Sequence, residues 1–253
     1  MASRRSILSF SPSQTPVRLA HFSLFDGLSE DELQSILPVI EQRTVAPGMV
    51  ILHRGQTGSG LFFLVDGTVK VFVEALDANS GTCQEAIVAI CVSGAVLGEI
   101  DIADGAGHTA GVATRERCSF LWLSTDDFWR CHDDIPRLGR NLSRLLARRL
   151  RQATISHDLL STTPLAGRVA YHLLRLAPDC GMPQAGDSIQ LPFKLKQSEM
   201  ASLCGSSREC VNRVFASFKE QGYIQVKRDN HIVLCDLDAL HSYCRGLAPL
   251  PSE

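Results

Sequence analysis

No run of 18 apolar residues occurs in the 253-residue chain, so nothing in it reads as a membrane-spanning helix. The N-terminus carries Arg4 and Arg5 but lacks the continuous apolar stretch and cleavage site of a secretory signal. A cytoplasmic protein without a membrane partner is therefore expected. Any CxxC pair is missing too. The nine cysteines (Cys83, Cys91, Cys118, Cys131, Cys180, Cys204, Cys210, Cys235 and Cys244) are odd in number and widely scattered, which argues against a disulfide framework. There is no GxSxG, no HExxH and no phosphate-binding P-loop, and Asp101 and Asp104 read as loop acids rather than a positioned catalytic pair. No enzyme is read from the chain. Internal repeats and low-complexity tracts are absent as well.

Charge is short overall but unevenly placed. The formal net charge is only -2, so any nucleic-acid surface has to be local. Residues 20–134 hold 6 Lys/Arg against 17 Asp/Glu, a net of -11, whereas residues 135–157 hold Arg137, Arg140, Arg144, Arg148, Arg149 and Arg151 and no acid. Residues 191–231 carry 7 basic against 4 acidic side chains, an excess of +3. An acidic body, a basic spine and a mildly basic C-terminal part fit a duplex-facing C-terminus.

Residues 1–20, rich in Ser, Pro and Arg, read as a leader unable to bury enough apolar surface to order itself. At LSEDEL (28–33) a serine N-cap and first-turn acids precede Leu33, Ile36, Leu37 and Ile40 at helical spacing, which predicts a short amphipathic helix. From about 43 to 124 the pattern becomes short β-branched or aromatic runs (49–52, 61–65, 68–73, 85–91, 110–113, 119–123) punctuated by glycine. Asp66-Gly67 between two such runs reads as a hairpin. The pattern predicts a small antiparallel barrel or jelly roll.

A long helix is predicted from about 135 to 160. Leu142, Leu146, Leu150, Ala153, His157 and Leu160 recur at steps of 4, 4, 3, 4 and 3, a narrow seam suited to packing on an identical helix. An amphipathic helix lying on the barrel is the open alternative. Pro164 ends this helix, and GRVAYHLLRLA (167–177) opens a second helical region that closes at a loop over 178–187. The expected division is a leader at 1–20, a sensor domain at 21–134, a dimerisation helix at 135–162 and a second domain at 163–253.

Within that second domain, QSEMASLC (197–204) predicts a short helix with Met200, Ala201 and Leu203 inward. Gly205 permits a turn, and Ser207 can cap a helix running from 208 to 222. Two short helices joined by a glycine turn form a helix-turn-helix pattern. On the second helix Val211, Val214, Phe215 and Phe218 would face the core, leaving Arg208, Glu209, Asn212 and Arg213 outward. Arginine can donate two hydrogen bonds to guanine and glutamate can accept from cytosine, so these side chains suit base reading. Residues 223–234 then read as a hairpin turning at Asp229-Asn230, a wing with Lys227, Arg228 and His231 near its tip for phosphate contact. Lys196, just before the first helix, is a further candidate DNA contact.

The segment GSSRECVNRVFASFKEQGYIQV resembles the winged helix-turn-helix of the cyclic-AMP receptor protein / fumarate-nitrate regulator (CRP/FNR) family, whose recognition helix carries S-R-E-x-V-x-R. Ser207, Arg208, Glu209, Val211 and Arg213 match in register. FDGLSEDEL, PGMVILHRGQTGSGLFFLVDGTVKV, GAVLGEI and the long helix extend the resemblance over about 22–242. The resemblance implies an α+β protein with a cyclic-nucleotide-binding-type β-roll, a long dimerisation helix and a C-terminal winged helix-turn-helix. It further implies a homodimeric transcription activator that works with RNA polymerase. In that family Arg208, Glu209 and Arg213 would read TGTGA-like half-sites of an inverted repeat in double-stranded DNA.

The resemblance also implies an effector pocket. Family members that bind a cyclic nucleotide use G-E-(L/I)…R-(S/T)-A, in which Glu takes the ribose hydroxyl and Arg the phosphate. Gly98-Glu99-Ile100 matches the first half. The second half departs from the pattern, because His108 followed by Thr109 stands where the family has Arg. Neutral imidazole cannot make the two-pronged contact of guanidinium with phosphate, which counts against cyclic AMP. On the long helix Thr154 keeps one hydroxyl near the base position, and Arg149 could pair with Glu99 or take an anion itself. The effector stays open between a cyclic nucleotide, cyclic di-GMP, another nucleotide or none. A redox or haem mode through His108, His53, Cys91 or Cys118, or a regulatory module acting through protein partners, is the alternative. The absence of cysteine before Cys83 argues against an iron-sulfur member.

Overall fold

The computed structural model describes residues 19–58, 60–76, 83–180, 182–183 and 188–244. Of the expected leader, residues 1–18 lie outside the described residues, as do 181 and 184–187 of the expected loop. The chain divides into two compact units, Met1–Glu85 with Ala89–Leu150 and Ala86–Val88 with Arg151–Glu253. No helix among the described residues is long and apolar enough to cross a membrane.

In the first unit helix α1 (Glu30–Ile36) begins at a reciprocal cap, with the Ser29 N–H donating to Glu32 Oε2 at 2.6 Å and the Glu32 N–H to Ser29 Oγ at 3.2 Å. Strands β1 (Glu41–Val45), β2 (Val50–Leu52), β3 (Gly60–Asp66), β4 (Val69–Leu76), β5 (Cys83–Cys91), β6 (Val96–Leu97), β7 (Gly111–Thr114) and β8 (Cys118–Ser124) follow, interrupted by helix α2 (Glu99–Asp104). They form two four-stranded sheets of order β1-β8-β3-β6 and β2-β7-β4-β5. This is the expected roll.

Strand β3 is buried on both faces. Phe62 and Leu64 join Leu52, Val69, Val112, Cys118 and Phe120 in one apolar cluster, while Leu61 and Phe63 join Phe22, Phe25, Ile36, Phe128 and Leu138 in another. That is why β3 reads GLFFLVD, a continuous apolar run, instead of alternating with polar residues. Phe22 packs edge-on and Phe25 tilted against Phe63, at centroid distances of 5.2 and 5.0 Å.

The Asp66-Gly67 reading needs correction. The turn is present, with Gly67 at φ +98°, but β3 pairs with β8 and β6 whereas β4 pairs with β7 and β5, so the strands part into different sheets. Gly67 is a corner, where a Cβ would meet Cys118 Sγ at 2.7 Å and Arg117 O at 3.0 Å. Turn composition marks the bend without saying which strands will pair.

Helices α3 (Thr125–Asp134), capped by Ser124, and α4 (Arg137–Thr162) follow, and the first unit ends within α4, at Leu150. The proposed seam is split. Leu142 is buried and Leu146 partly buried against the roll, together with Leu138 and Leu145, whereas Leu150 is 70% exposed and Leu160 50% exposed. The start of α4 therefore lies on the roll, as the open alternative had it. Only the part from Leu150 onward presents its seam outward. Asn141 fastens the helix further, donating from Nδ2 to the carbonyls of Leu24 and Asp26 at 2.9 Å each.

The second unit starts its own helix after Pro164: α5 (Leu165–Cys180), with Val169, Ala170, Leu173, Leu174 and Ala177 buried. Strands β9 (Met182–Pro183) and β10 (Ile189–Lys194), helices α6 (Gln197–Leu203) and α7 (Arg208–Glu220), strands β11 (Ile224–Val226) and β12 (His231–Leu234) and helix α8 (Leu237–Tyr243) complete it. The sheet order is β11-β12-β10-β9. The wing hairpin is thus backed by two strands, β9 and β10, that the sequence reading had not separated from loop.

Candidate functional site

Helices α6 and α7 and the turn between them have the form expected from the sequence. Met200, Ala201 and Leu203 are buried, and Gly205 adopts φ +55°, a region costly for residues with a Cβ. A Cβ there would meet Leu160 Cδ2 at 2.8 Å. Ser207 caps α7, its hydroxyl accepting from the Cys210 N–H at 3.2 Å. Val211, Phe215 and Phe218 are buried, while Val214 is only half-buried. Ser207, Arg208, Glu209 and Arg213 are exposed.

Asn212 departs from the expectation. It is half-buried, and its Oδ1 is buried without a hydrogen-bond partner among the described residues. It shares the helix with the outward residues but sits one step nearer the core, next to Val211.

Electrostatics at this helix start favour charged, hydrogen-bonding side chains. Hydrogen bonding to its own backbone N–H, then to Ser207, holds the Glu209 carboxyl below its ordinary range, and Arg208 and Arg213 add to this. The sequence reading overlooked Cys210. Its Sγ accepts from Arg213 Nη2 at 3.0 Å, and hydrogen bonds from Ser207 and Arg213 lower its thiol pKa. The only signal in the sequence was its place three residues before Arg213.

The wing turns through Asn230 at φ +68°, with the Asn230 N–H donating to Lys227 O at 2.9 Å. Lys227, Arg228 and Asp229 are exposed at its tip, and the Lys227 ammonium is hydrogen-bonded to Gln190. Lys196 is exposed just ahead of α6, its backbone N–H donating to Glu199 Oε2 at 2.9 Å. Behind the turn His172 is buried. Desolvation, then the nearby Arg175, lowers its pKa to about 3, against a hydrogen bond at the Leu203 backbone.

In the roll, Gly98 (φ +92°) leads into α2, which starts at Glu99. Glu99 is buried and accepts from Arg149 Nε at 2.8 Å, while Arg149 Nη2 donates to Val96 O at 2.9 Å. Gly98 and His108 are neighbours: a Cβ on Gly98 would lie 3.9 Å from His108 Cε1. Thus Gly98, Glu99, His108 and Arg149 gather at one end of the roll, with Ile100 half-buried beside them in α2. Thr109 and Thr154 are exposed.

Asp101 overturns the loop-acid reading. It lies within α2, buried, and accepts from the Gly58 N–H at 2.5 Å and the Gly107 N–H at 2.7 Å. Asp104 is the exposed acid of the two, accepting from the Ala106 N–H at 3.0 Å. As for a thiol sensor, burial pushes the Cys118 pKa up to about 11, which removes its nucleophilic form at neutral pH.

Comparison with known proteins agrees with both halves. Residues 42–134 match the cyclic nucleotide-binding domain and residues 167–243 the Crp-like helix-turn-helix domain. A cyclic AMP receptor protein of Thermus thermophilus is 32% identical over 203 residues, 80% of this chain and 88% of the relative. A CRP-like cAMP-activated global transcriptional regulator of Mycobacterium tuberculosis is 29% identical over 209 residues, 83% of this chain and 91% of the relative. Among solved structures, FixK2 from Bradyrhizobium japonicum superposes with a TM-score of 0.72 at 20% identity, over 83% of this chain and 100% of that one, a likeness of fold. With the roll, the cassette glycine-glutamate pair and the capped S-R-E-x-V-x-R helix in place, the chain belongs to the CRP/FNR family as a DNA-binding transcription regulator with a cyclic nucleotide-binding domain.

Proposed function

We propose that the protein works as a homodimer that reads an inverted repeat of TGTGA-like half-sites and whose DNA affinity is set by a small effector in the roll. The observation that carries this reading is the exposed, capped start of α7, where Arg208, Glu209 and Arg213 stand clear of the buried Val211, Phe215 and Phe218. Arg208 and Arg213 would each donate in pairs to guanine O6 and N7, and Glu209 would accept from cytosine N4. Lys196, Lys227 and Arg228 would take phosphates and set register. Asn212 contributes less, being half-buried.

The exposed seam of α4, with Leu150, Ala153, His157 and Leu160, is the surface on which two copies would meet, leaving their two α7 helices about 34 Å apart for successive major grooves. We assign 21–134 to sensing, 135–162 to dimerisation and 163–253 to DNA binding, with RNA polymerase as the partner in activation and the cytoplasm as the place of action. Gly98, Glu99, Ile100, His108, Thr109, Arg149 and Thr154 are the residues assigned to the effector. The named activities of the relatives, cyclic-AMP reception and cAMP-activated regulation, support this class of mechanism.

The test is a gel shift on an inverted-repeat TGTGA probe. Arg208→Ala and Arg213→Ala should each cost about 1–3 kcal/mol of binding free energy. Wild-type affinity should also fall steeply as salt rises from 50 to about 200 mM. A double variant that binds the probe as well as wild type overturns the assignment of α7.

A further inference from the structure

Among the described residues of the roll two carboxylates are buried, Glu99 and Asp101; the first is matched to a donor on α4 and the second to donors that the roll itself provides. Glu99 takes the Arg149 guanidinium at 2.8 Å. Asp101 takes two main-chain N–H groups, those of Gly58 at 2.5 Å and Gly107 at 2.7 Å. The imidazole of His108 is buried beside it: Asp101 Oδ2 and His108 Nε2 each lie within 2.7 Å of the point where a Cβ on Gly58 would stand.

The backbone is shaped around this carboxylate. Gly107 holds φ +87°, and at Gly58 a side chain would collide with both partners, so the two peptide groups approach as only glycine permits. Converging main-chain N–H donors next to an imidazole form the arrangement that holds a buried phosphate-type anion.

We propose that Asp101 is a built-in occupant of the roll's anion seat, so that the effector is accepted here without a phosphate at this place. The proposal rests on reading the roll as the effector domain. A phosphodiester brought to the same donors would face the carboxylate at close range in a site shielded from water, where like charges repel most strongly. Driving the carboxylate out would strand a buried charge without its hydrogen bonds. The group admitted at this end of the roll is accordingly neutral or cationic. Asp101 is a specificity-determining residue that works by exclusion.

Calorimetric titration of the full-length protein with cyclic AMP and with cyclic GMP tests this, on wild type, Asp101→Asn and Asp101→Ser. Wild type should give no saturable heat up to about 1 mM nucleotide, and the variants should bind at least about tenfold tighter. Saturable micromolar binding by wild type, or folded variants that bind no better than wild type, overturns the proposal. Should neither variant fold, as judged by circular dichroism, the wild-type titration decides by itself. Gel shifts of the same preparations keep the readings apart: loss of inverted-repeat binding by wild type would refute the DNA assignment and leave the nucleotide result standing.

Discussion

Cys210 sits where three effects act on one sulfur: the start of a helix, the Ser207 hydroxyl and the Arg213 guanidinium. Its thiol titrates below the ordinary value, while burial lifts Cys118 to about 11, Cys204 to about 12 and Cys244 to about 11. Limiting iodoacetamide at neutral pH should therefore alkylate Cys210 well before those three, as read by peptide mass spectrometry. Preferential labelling of Cys118 would contradict the geometry. Ser207 is the second residue with a separable role. Replacing it by alanine removes the acceptor for the Cys210 N–H and should cost about 1 kcal/mol of stability in urea unfolding, without altering the charge of the DNA face.

At the scale of elements, α5 carries a buried histidine into the back of the helix-turn-helix. Unfolded, His172 takes a proton near 6.5; folded, desolvation and Arg175 delay this to about 3. The unfolded chain thus gains a proton that the native one refuses. Stability is complete above about pH 6.5 and is lost as pH falls from there toward 3, by about 2 kcal/mol at pH 5. Urea midpoints measured between pH 5 and 7.5 should show this slope, and His172→Gln should flatten it.

Elements differ in how legible they were beforehand. α1 and α7 announced themselves through Ser29 and Ser207 caps followed by helical apolar spacing, local signals that need no tertiary knowledge. β1, with EQRTV, has little apolar content and is a strand because β8 pairs along it from Glu41–Trp122 to Val45–Cys118, a partner some 75 residues away in sequence. The parting of β3 from β4 at Gly67 likewise depends on long-range pairing. In the candidate site, the exposure of Arg208, Glu209 and Arg213 followed from helical periodicity, whereas the half-burial of Asn212 did not. Asp101 did not, because its burial depends on amides from two distant loops, at Gly58 and Gly107, meeting it in space.

For the whole molecule the main question is association. The α4 seam runs from buried leucines to exposed ones, and Leu150, at 70% exposure, is a large apolar group in a place that solvent alone does not favour. Leu150→Asp should convert a dimer to a monomer in analytical ultracentrifugation, with circular dichroism unchanged. It should also weaken inverted-repeat binding by at least about tenfold, because two half-sites would no longer be held at once. A wild-type protein that sediments as a monomer at every concentration would remove the basis of the dimer.

Gly205 leaves a hydrogen's clearance between the turn ahead of α7 and the tail of α4, where Leu160 lies. A methyl group there would push that side-chain tip aside like a shim and, at greater cost, demand a left-handed backbone from a residue that resists it. The half-exposed tip of Leu160 can swing aside, so what this junction holds to is the left-handed backbone that glycine takes without strain.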